Sequence, residues 1–403
     1  MRYLKPAFLT YAFITFFMSL SPHALAGEQG HYFPGVMGVR DLDQPPKGVY
    51  FAVYNFYYHS GNYQDADGNK FDSLSLSKSV SGSRTTEINL RGGRSIPIRI
   101  TANAEAKLDA DLEFQLDMVF HQPTLVWAPG FKILGADFAS LLGVPFGYVR
   151  IDAEADARLR VAAAATVTTG GITITPPRQG SFEIGGVSKS VSASGSIQGD
   201  AEIEDNKYGF GDMMVQPVWL QWSDYKNYSA GTTYSFYAPT GAYDEGDIAN
   251  VGMGFWTHQW QVYGYYYLLD GATAFHYRTT YELHSYKYDK DVRPGQNMTI
   301  EYGLSQYLHE RFAVGVLGYH EWQISDDSGS AAVNKDVHDR LNGIGGEINF
   351  WPVKGKLLVT ARCSVEYANR DRFEGILGAL NLTWAFGEPM SEKLNKRKLQ
   401  KIS

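Results

Sequence analysis

Residues 357–367 read Leu-Leu-Val-Thr-Ala-Arg-Cys-Ser-Val-Glu-Tyr. Leu357, Val359, Ala361, Cys363, Val365 and Tyr367 form one row, and Thr360, Arg362, Ser364 and Glu366 form the other. Successive side chains of a strand point to opposite faces, so this stretch is a strand with one apolar and one polar side. The same split recurs in Met298, Ile300, Tyr302 and Leu304 against Thr299, Glu301, Gly303 and Ser305. It recurs in Phe275, Tyr277, Thr279, Tyr281 and Leu283 against His276, Arg278, Thr280, Glu282 and His284. Further upstream, Leu112, Phe114, Leu116, Met118 and Phe120 oppose Glu113, Gln115, Asp117 and His121. A soluble sandwich alternates too, but its strands are usually about five or six residues long, and these run past that.

Working outward, strands are expected at about 47–58, 113–127, 131–150, 207–222, 228–238, 252–267, 273–287, 297–308, 311–325, 341–351, 356–368 and 373–386. The connections between them alternate in length. Short ones fall at Ala128-Pro129-Gly130, 223–227, 268–272, His309-Glu310 and 352–355, while the others are mostly long. Outer-membrane barrels have short periplasmic turns and long extracellular loops, with an apolar outside and a polar inside. A sandwich has no reason to sort its loops in this way. The expected fold is therefore an all-β transmembrane antiparallel barrel of about twelve strands (10–14). Closure follows because an unpaired strand edge in a bilayer leaves N–H and C=O groups without partners.

The ends of the chain agree with that compartment. Arg2 and Lys5 precede an uncharged run from Ala7 to Leu20, and Ala24-Leu25-Ala26 offers a cleavage site before Gly27. Residues 1–26 thus read as an export signal. Cys363 is the single cysteine, so no intramolecular disulfide is available. A net charge of −7 supplies no basic footprint for nucleic acid. The last strand, 373–386, ends in Trp384 and Phe386, an aromatic close of the kind that barrel-assembly machinery recognises. Residues 387–403 follow it as a basic tail, expected to be a periplasmic extension or a docking segment. Two insertions, at about 59–112 and 151–206, are rich in Ser, Gly, Thr and Ala; they are expected to be extended hairpins, or else a separate domain.

Several further stretches resemble a known family. Gly209-Phe210-Gly211-Asp212 with Gln216-Pro217, and Ala238-Pro239-Thr240-Gly241-Ala242-Tyr243 leading through Asn250 and Gly252 to Trp256, are similar to segments of the phenol meta-degradation family of outer-membrane proteins. Lys132 to Ala136 with Val144-Pro145, Gly318-Tyr319 running to Gln323 and on to Gly329, and Gly343 to Phe350 match in the same order. The two insertions and the tail lie outside the resemblance. It implies an outer-membrane location and a transport class near aromatic-compound catabolism, and it supplies no catalytic residue.

The residues by themselves give no catalytic site either. His276 and His284 are eight residues apart, roughly 27 Å on one strand at about 3.3 Å per residue. Asp326-Asp327 offers two adjacent carboxylates, thin ligation for calcium. No cofactor is expected. The inward rows instead suggest a lining of Asp117, His276, Arg278, Glu282, Glu301, Glu347, Arg362 and Glu366, with Glu113 and His121 beside them. Phe51, Tyr57, Tyr263 and Tyr265 are candidates for contact with an apolar solute. Either the charges pair and fill the lumen, or they border a wet, mildly acidic passage. Function accordingly divides into a passive channel for small, aromatic or hydrophobic solutes and a non-conducting structural or surface-binding barrel. Expected partners are outer-membrane lipids, barrel-assembly machinery and small solutes.

Overall fold

The computed structural model describes residues 29–90, 94–169, 172–174, 182–184, 188–224, 226–333 and 335–386. The expected signal segment and the basic tail lie outside these residues. Contacts divide the chain into two units, one of residues 72–113 and 154–202, the other holding residues 29–71, 114–153 and 203–386.

The larger unit is a closed barrel. Its strands are β1 (Gly48–Ser60), β2 (Arg94–Ala128, entering this unit at Phe114), β3 (Ala136–Gly143) and β4 (Met213–Ser223). They continue as β5 (Tyr228–Ala238), β6 (Thr257–Leu268), β7 (Thr273–His284) and β8 (Asn297–His309). The last four are β9 (Phe312–Gln323), β10 (Arg340–Val353), β11 (Leu357–Glu366) and β12 (Ile376–Ala385). Each pairs antiparallel with its neighbours in sequence, and β1 pairs with β12 from Tyr50↔Ala385 to His59↔Ile376. This ring of twelve is the expected fold, and the ring leaves no edge unpaired. Two expected strands are each interrupted. The stretch 131–150 breaks at Val144-Pro145, where proline has no N–H for the ladder, and the Val144 N–H turns to the Pro123 carbonyl instead. The stretch 207–222 breaks at Gly211-Asp212.

The sorting of side chains across the wall follows from the solvent on each side. Along β7, His276, Arg278, Thr280, Glu282 and His284 are buried while Phe275 and Tyr277 are exposed. Val262 is 61 % and Val316 60 % exposed, and Ile344, Ile348, Leu380 and Leu382 also face outward. So large an apolar belt on a closed β-surface is what a bilayer requires and what water would penalise. The protein is an outer-membrane β-barrel of the Gram-negative type. Cys363 faces outward in this belt.

One strand reverses the expectation. On β2 it is Leu116, Met118, Phe120 and Gln122 that face the interior, whereas Asp117 lies on the outer face with Tyr57 and His59. Asp117 therefore does not line the lumen, nor does His121, which bonds the outward Asn55 side chain. The alternation was correct but its polarity was not. The interior beside β1 and β2 is apolar, and the polar row meets solvent outside. Phe51 and Tyr57 are likewise exposed on the outside, leaving Tyr50 and Tyr58 within.

The smaller unit is a sheet of long ladders. Ser73–Leu90 pairs with residues 94–113, and the sheet continues through residues 154–169 to residues 188–202, the parts of the longer strands that belong to this unit. One face is polar, where Asp109 meets Ser75 at 2.8 Å and Arg160 at 3.6 Å. The other carries apolar pairs such as Leu76↔Leu108 and Val80↔Ala104. Val80 is 63 % and Val191 67 % exposed, while Ala110, Leu112, Ala155 and Ala157 are buried.

Candidate functional site: the barrel interior

Residues 29–47, ahead of β1, carry no strand pattern, and they run inside the barrel. A chain without secondary structure in a confined space must bond its backbone groups to something else. Here the wall supplies the partners. Glu282 accepts from the Tyr32 N–H at 3.0 Å, Glu301 from the Gly35 N–H at 2.9 Å, and Glu347 from the Val39 N–H at 3.0 Å. Arg362 donates to the Gly35 carbonyl at 2.8 Å, and Asn381 to the Val36 carbonyl at 3.0 Å. From the segment outward, the Arg40 guanidinium donates to the carbonyls of Gly271 and Ala272 and to Ser305. Gln44 donates to Gln221 and to the Trp219 carbonyl.

Apolar contacts fix the same segment. Val39 is buried with Leu317, Tyr319 and Leu341, and Leu42 with Tyr50, Trp219, Tyr263 and Tyr265. The Leu42 N–H also donates to the Tyr265 hydroxyl at 3.1 Å. The segment is an internal plug.

Seven of the eight residues singled out from the sequence face this interior, and the plug or its neighbours engage them. Arg278 pairs with Glu301, which also accepts from the Tyr32 hydroxyl. Arg362 pairs with Glu347 at 3.1 Å, both side chains being fully buried. Glu366 accepts from the Tyr58 hydroxyl at 2.7 Å and the Gly375 N–H at 3.0 Å. His276 stacks on Tyr265 with ring centroids 4.9 Å apart. A buried carboxylate without such partners would be strongly unfavourable, so plug and charged wall stabilise each other.

None of these seven borders the open space. That space is a cavity of about 300 Å³ between the plug and the other side of the wall. Phe33, Phe56 and Phe120 stack in series along it, at 4.9 and 5.3 Å between centroids. Met118, Met214 and Met253 add polarisable, adaptable surface. The lining runs from Asn250 and Met253, among the long loops, to Leu42, Pro45 and Trp219 towards the short turns. A second cavity, of about 320 Å³, lies at the long-loop end and shares Met118, Val149, Asn250 and Met253 with the first.

The motif residues shape the same end. Asp212 accepts from the Gly241 N–H at 2.8 Å and the Met253 N–H at 2.7 Å, and it pairs with His31 of the plug at 2.8 Å. Gly241 and Gly252 pass so closely that a Cβ on either would lie 2.7 Å from backbone of the other. The Asp326-Asp327 pair is divided between two structural tasks. Asp327 accepts from the Gly295 N–H and the Gln323 amide, while Asp326 pairs with His338.

The model of the family described as "Putative MetA-pathway of phenol degradation" matches residues 91–382. The chain belongs to that family. Its fold is similar to the COG4313 outer membrane channel from Pseudomonas putida F1, at a TM-score of 0.52 and 13 % identity over 88 % of this chain and 100 % of that one. Weaker likenesses include a FadL homologue of Pseudomonas aeruginosa (TM-score 0.29, 10 % identity, 85 % of this chain and 91 % of that one) and OccAB4 of Acinetobacter baumannii (0.26, 8 %, 85 % and 99 %). No curated protein matches the sequence. The interior of this barrel thus holds two features, the plug and the aromatic cavity. Sequence reasoning missed both: residues 29–47 alternate in no period, and a cavity is a relation between distant strands.

Proposed function

We propose that this protein is an outer-membrane channel for the passive uptake of small, aromatic or hydrophobic solutes. The observation that carries this reading is the aromatic and methionine-lined cavity, which lies beside the plug and extends between the two ends of the barrel. Pockets that take small apolar ligands are mostly apolar with a few placed polar groups, and this one has that character. The COG4313 relative of like fold is itself described as an outer membrane channel. The charged residues His276, Arg278, Glu282, Glu301, Glu347, Arg362 and Glu366 hold the plug in this reading and do not touch the solute. In this reading the protein acts as a conduit.

The test is uptake. Outer-membrane vesicles containing the protein should accumulate labelled p-cresol faster than vesicles without it. Leu141→Trp, which fills the cavity, should remove most of the difference. The tight engagement of the plug favours a second reading, a non-conducting barrel that serves envelope structure. Equal rates with and without the protein would establish that second reading.

A further inference from the structure

Among the described residues of the smaller unit, every exposed large apolar side chain stands on one face of the sheet. Leu76 and Val80 alternate with Ser75, Ser77 and Ser79 on one outer strand, and Val191 alternates with Ser190 and Ser192 on the other. Residues opposite each other in a ladder share a face. The bonds Ser75–Asp109, Arg158–Gln198 and Thr168–Ser188, with the Asp109–Arg160 pair, therefore carry the polar face across all four strands. Ile100, Val161, Val167 and Ile197 fall on the other face, beside Leu76 and Val80. Residues 75–87 and 188–200 are exposed without exception, so neither outer strand is covered by the rest of the described chain.

The charges divide in the same way. By alternation Glu87, Glu105, Asp109, Asp156, Asp200 and Glu202 all belong to the polar face. Among the described residues of these strands, the only charges on the apolar face are cations, Lys78 and Arg84 on one outer strand and Lys189 on the other. Between them the two inner strands present Ala102, Ala104, Ala163 and Ala165, side chains too small to frame a groove. The face is a flat apolar strip with a cationic margin on both sides.

An exposed apolar patch of this kind marks an interaction surface, and its chemistry selects the partner. Protein partners seat large anchors in pockets, which a strip of alanines does not offer. A second copy laid face to face would add cations to cations in a shared apolar layer. An element that lies on a bilayer has the observed composition, with an apolar middle at the acyl boundary and Lys or Arg among the headgroups. Their long stems cover apolar surface while the charge reaches outward.

We propose that this face docks on a lipid surface bearing anionic headgroups, a contact separate from the apolar belt of the barrel. The experiment uses the full chain in a Cys363→Ala background, with an environment-sensitive fluorophore on Val80→Cys or, on the opposite face, on Ser79→Cys. Each is reconstituted into vesicles of phosphatidylcholine alone or of equal parts phosphatidylcholine and phosphatidylglycerol, and brominated acyl chains report contact with lipid. In the mixed vesicles the Val80 label should shift to the blue and be quenched, while the Ser79 label stays in water in both. Added salt should weaken the quenching, because exposed charges are screened. Lys78→Gln, Arg84→Gln and Lys189→Gln together should lower the ratio of lipid-shielded to exposed Val80 label on the order of tenfold, with a heat-modifiable gel shift verifying the barrel. Equal emission from the two labels overturns the proposal. Quenching of equal strength without phosphatidylglycerol also overturns it, since the cations would then play no part. A blue shift without quenching does so too, because protein and not lipid would then cover the face.

Discussion

The Arg362 guanidinium donates to the Gly35 carbonyl oxygen over 2.8 Å, and its other terminal nitrogen holds Glu347 at 3.1 Å. One side chain of β11 thus ties the plug to the wall and balances a buried carboxylate. Arg362→Ala removes both functions. It should cost about 3–5 kcal/mol, because Glu347 is left buried and uncompensated. Unfolding followed by heat-modifiable mobility measures the loss, and single-channel recordings should show larger, noisier openings as the plug loosens. Unchanged stability with unchanged conductance would mean that the plug is held elsewhere.

The apolar belt makes a second expectation. Val316 is mid-strand on β9 and 60 % exposed, so Val316→Arg should cost about 2–4 kcal/mol in a bilayer while Val316→Leu costs almost nothing. Cys363, in the same belt, should react with a membrane-partitioned maleimide and resist a charged one. Comparable labelling by both reagents would place Cys363 in water.

Charge selectivity is a third. The sequence suggests that Glu301 and Glu366 set a cation preference from the lumen wall. In the fold, Glu366 is occupied by Tyr58, Asn369 and Gly375 and does not border the cavity. Glu366→Gln should therefore leave the reversal potential under a salt gradient unchanged. A shift toward anions in that variant would restore the wet acidic passage.

A fourth concerns pH at the long-loop end. Asp339 stands just before β10, and Arg372 serves both it, at 3.3 Å, and Glu321. Burial pushes the Asp339 carboxyl up, more than Arg372 draws it down. A carboxyl raised in the folded state holds its proton more tightly folded than unfolded. Its contribution to stability is therefore present in acid and lost as the pH rises from its ordinary 3.8 through the raised value. Asp339→Asn abolishes that titration. Its Tm relative to wild type should climb between about pH 4 and pH 8. A Tm difference independent of pH would assign the effect to packing.

Much of the wall was determined by the sequence alone. Alternation is a local property with a period of two, so the inward placement of His276, Arg278 and Glu282 and the outward placement of Cys363 could be read directly from β7 and β11. The number of strands followed from the same rows and from the sorted loop lengths. What alternation cannot state is which solvent lies on which side. On β2 both rows were legible, yet Asp117 turned outward because the interior there is filled with apolar side chains. That inversion depends on Phe33, Phe56 and Phe120 meeting from three separate parts of the chain. The plug is equally a tertiary fact. Residues 29–47 adopt their path because Glu282, Glu301, Glu347 and Arg362, each on a different strand, converge on their backbone groups.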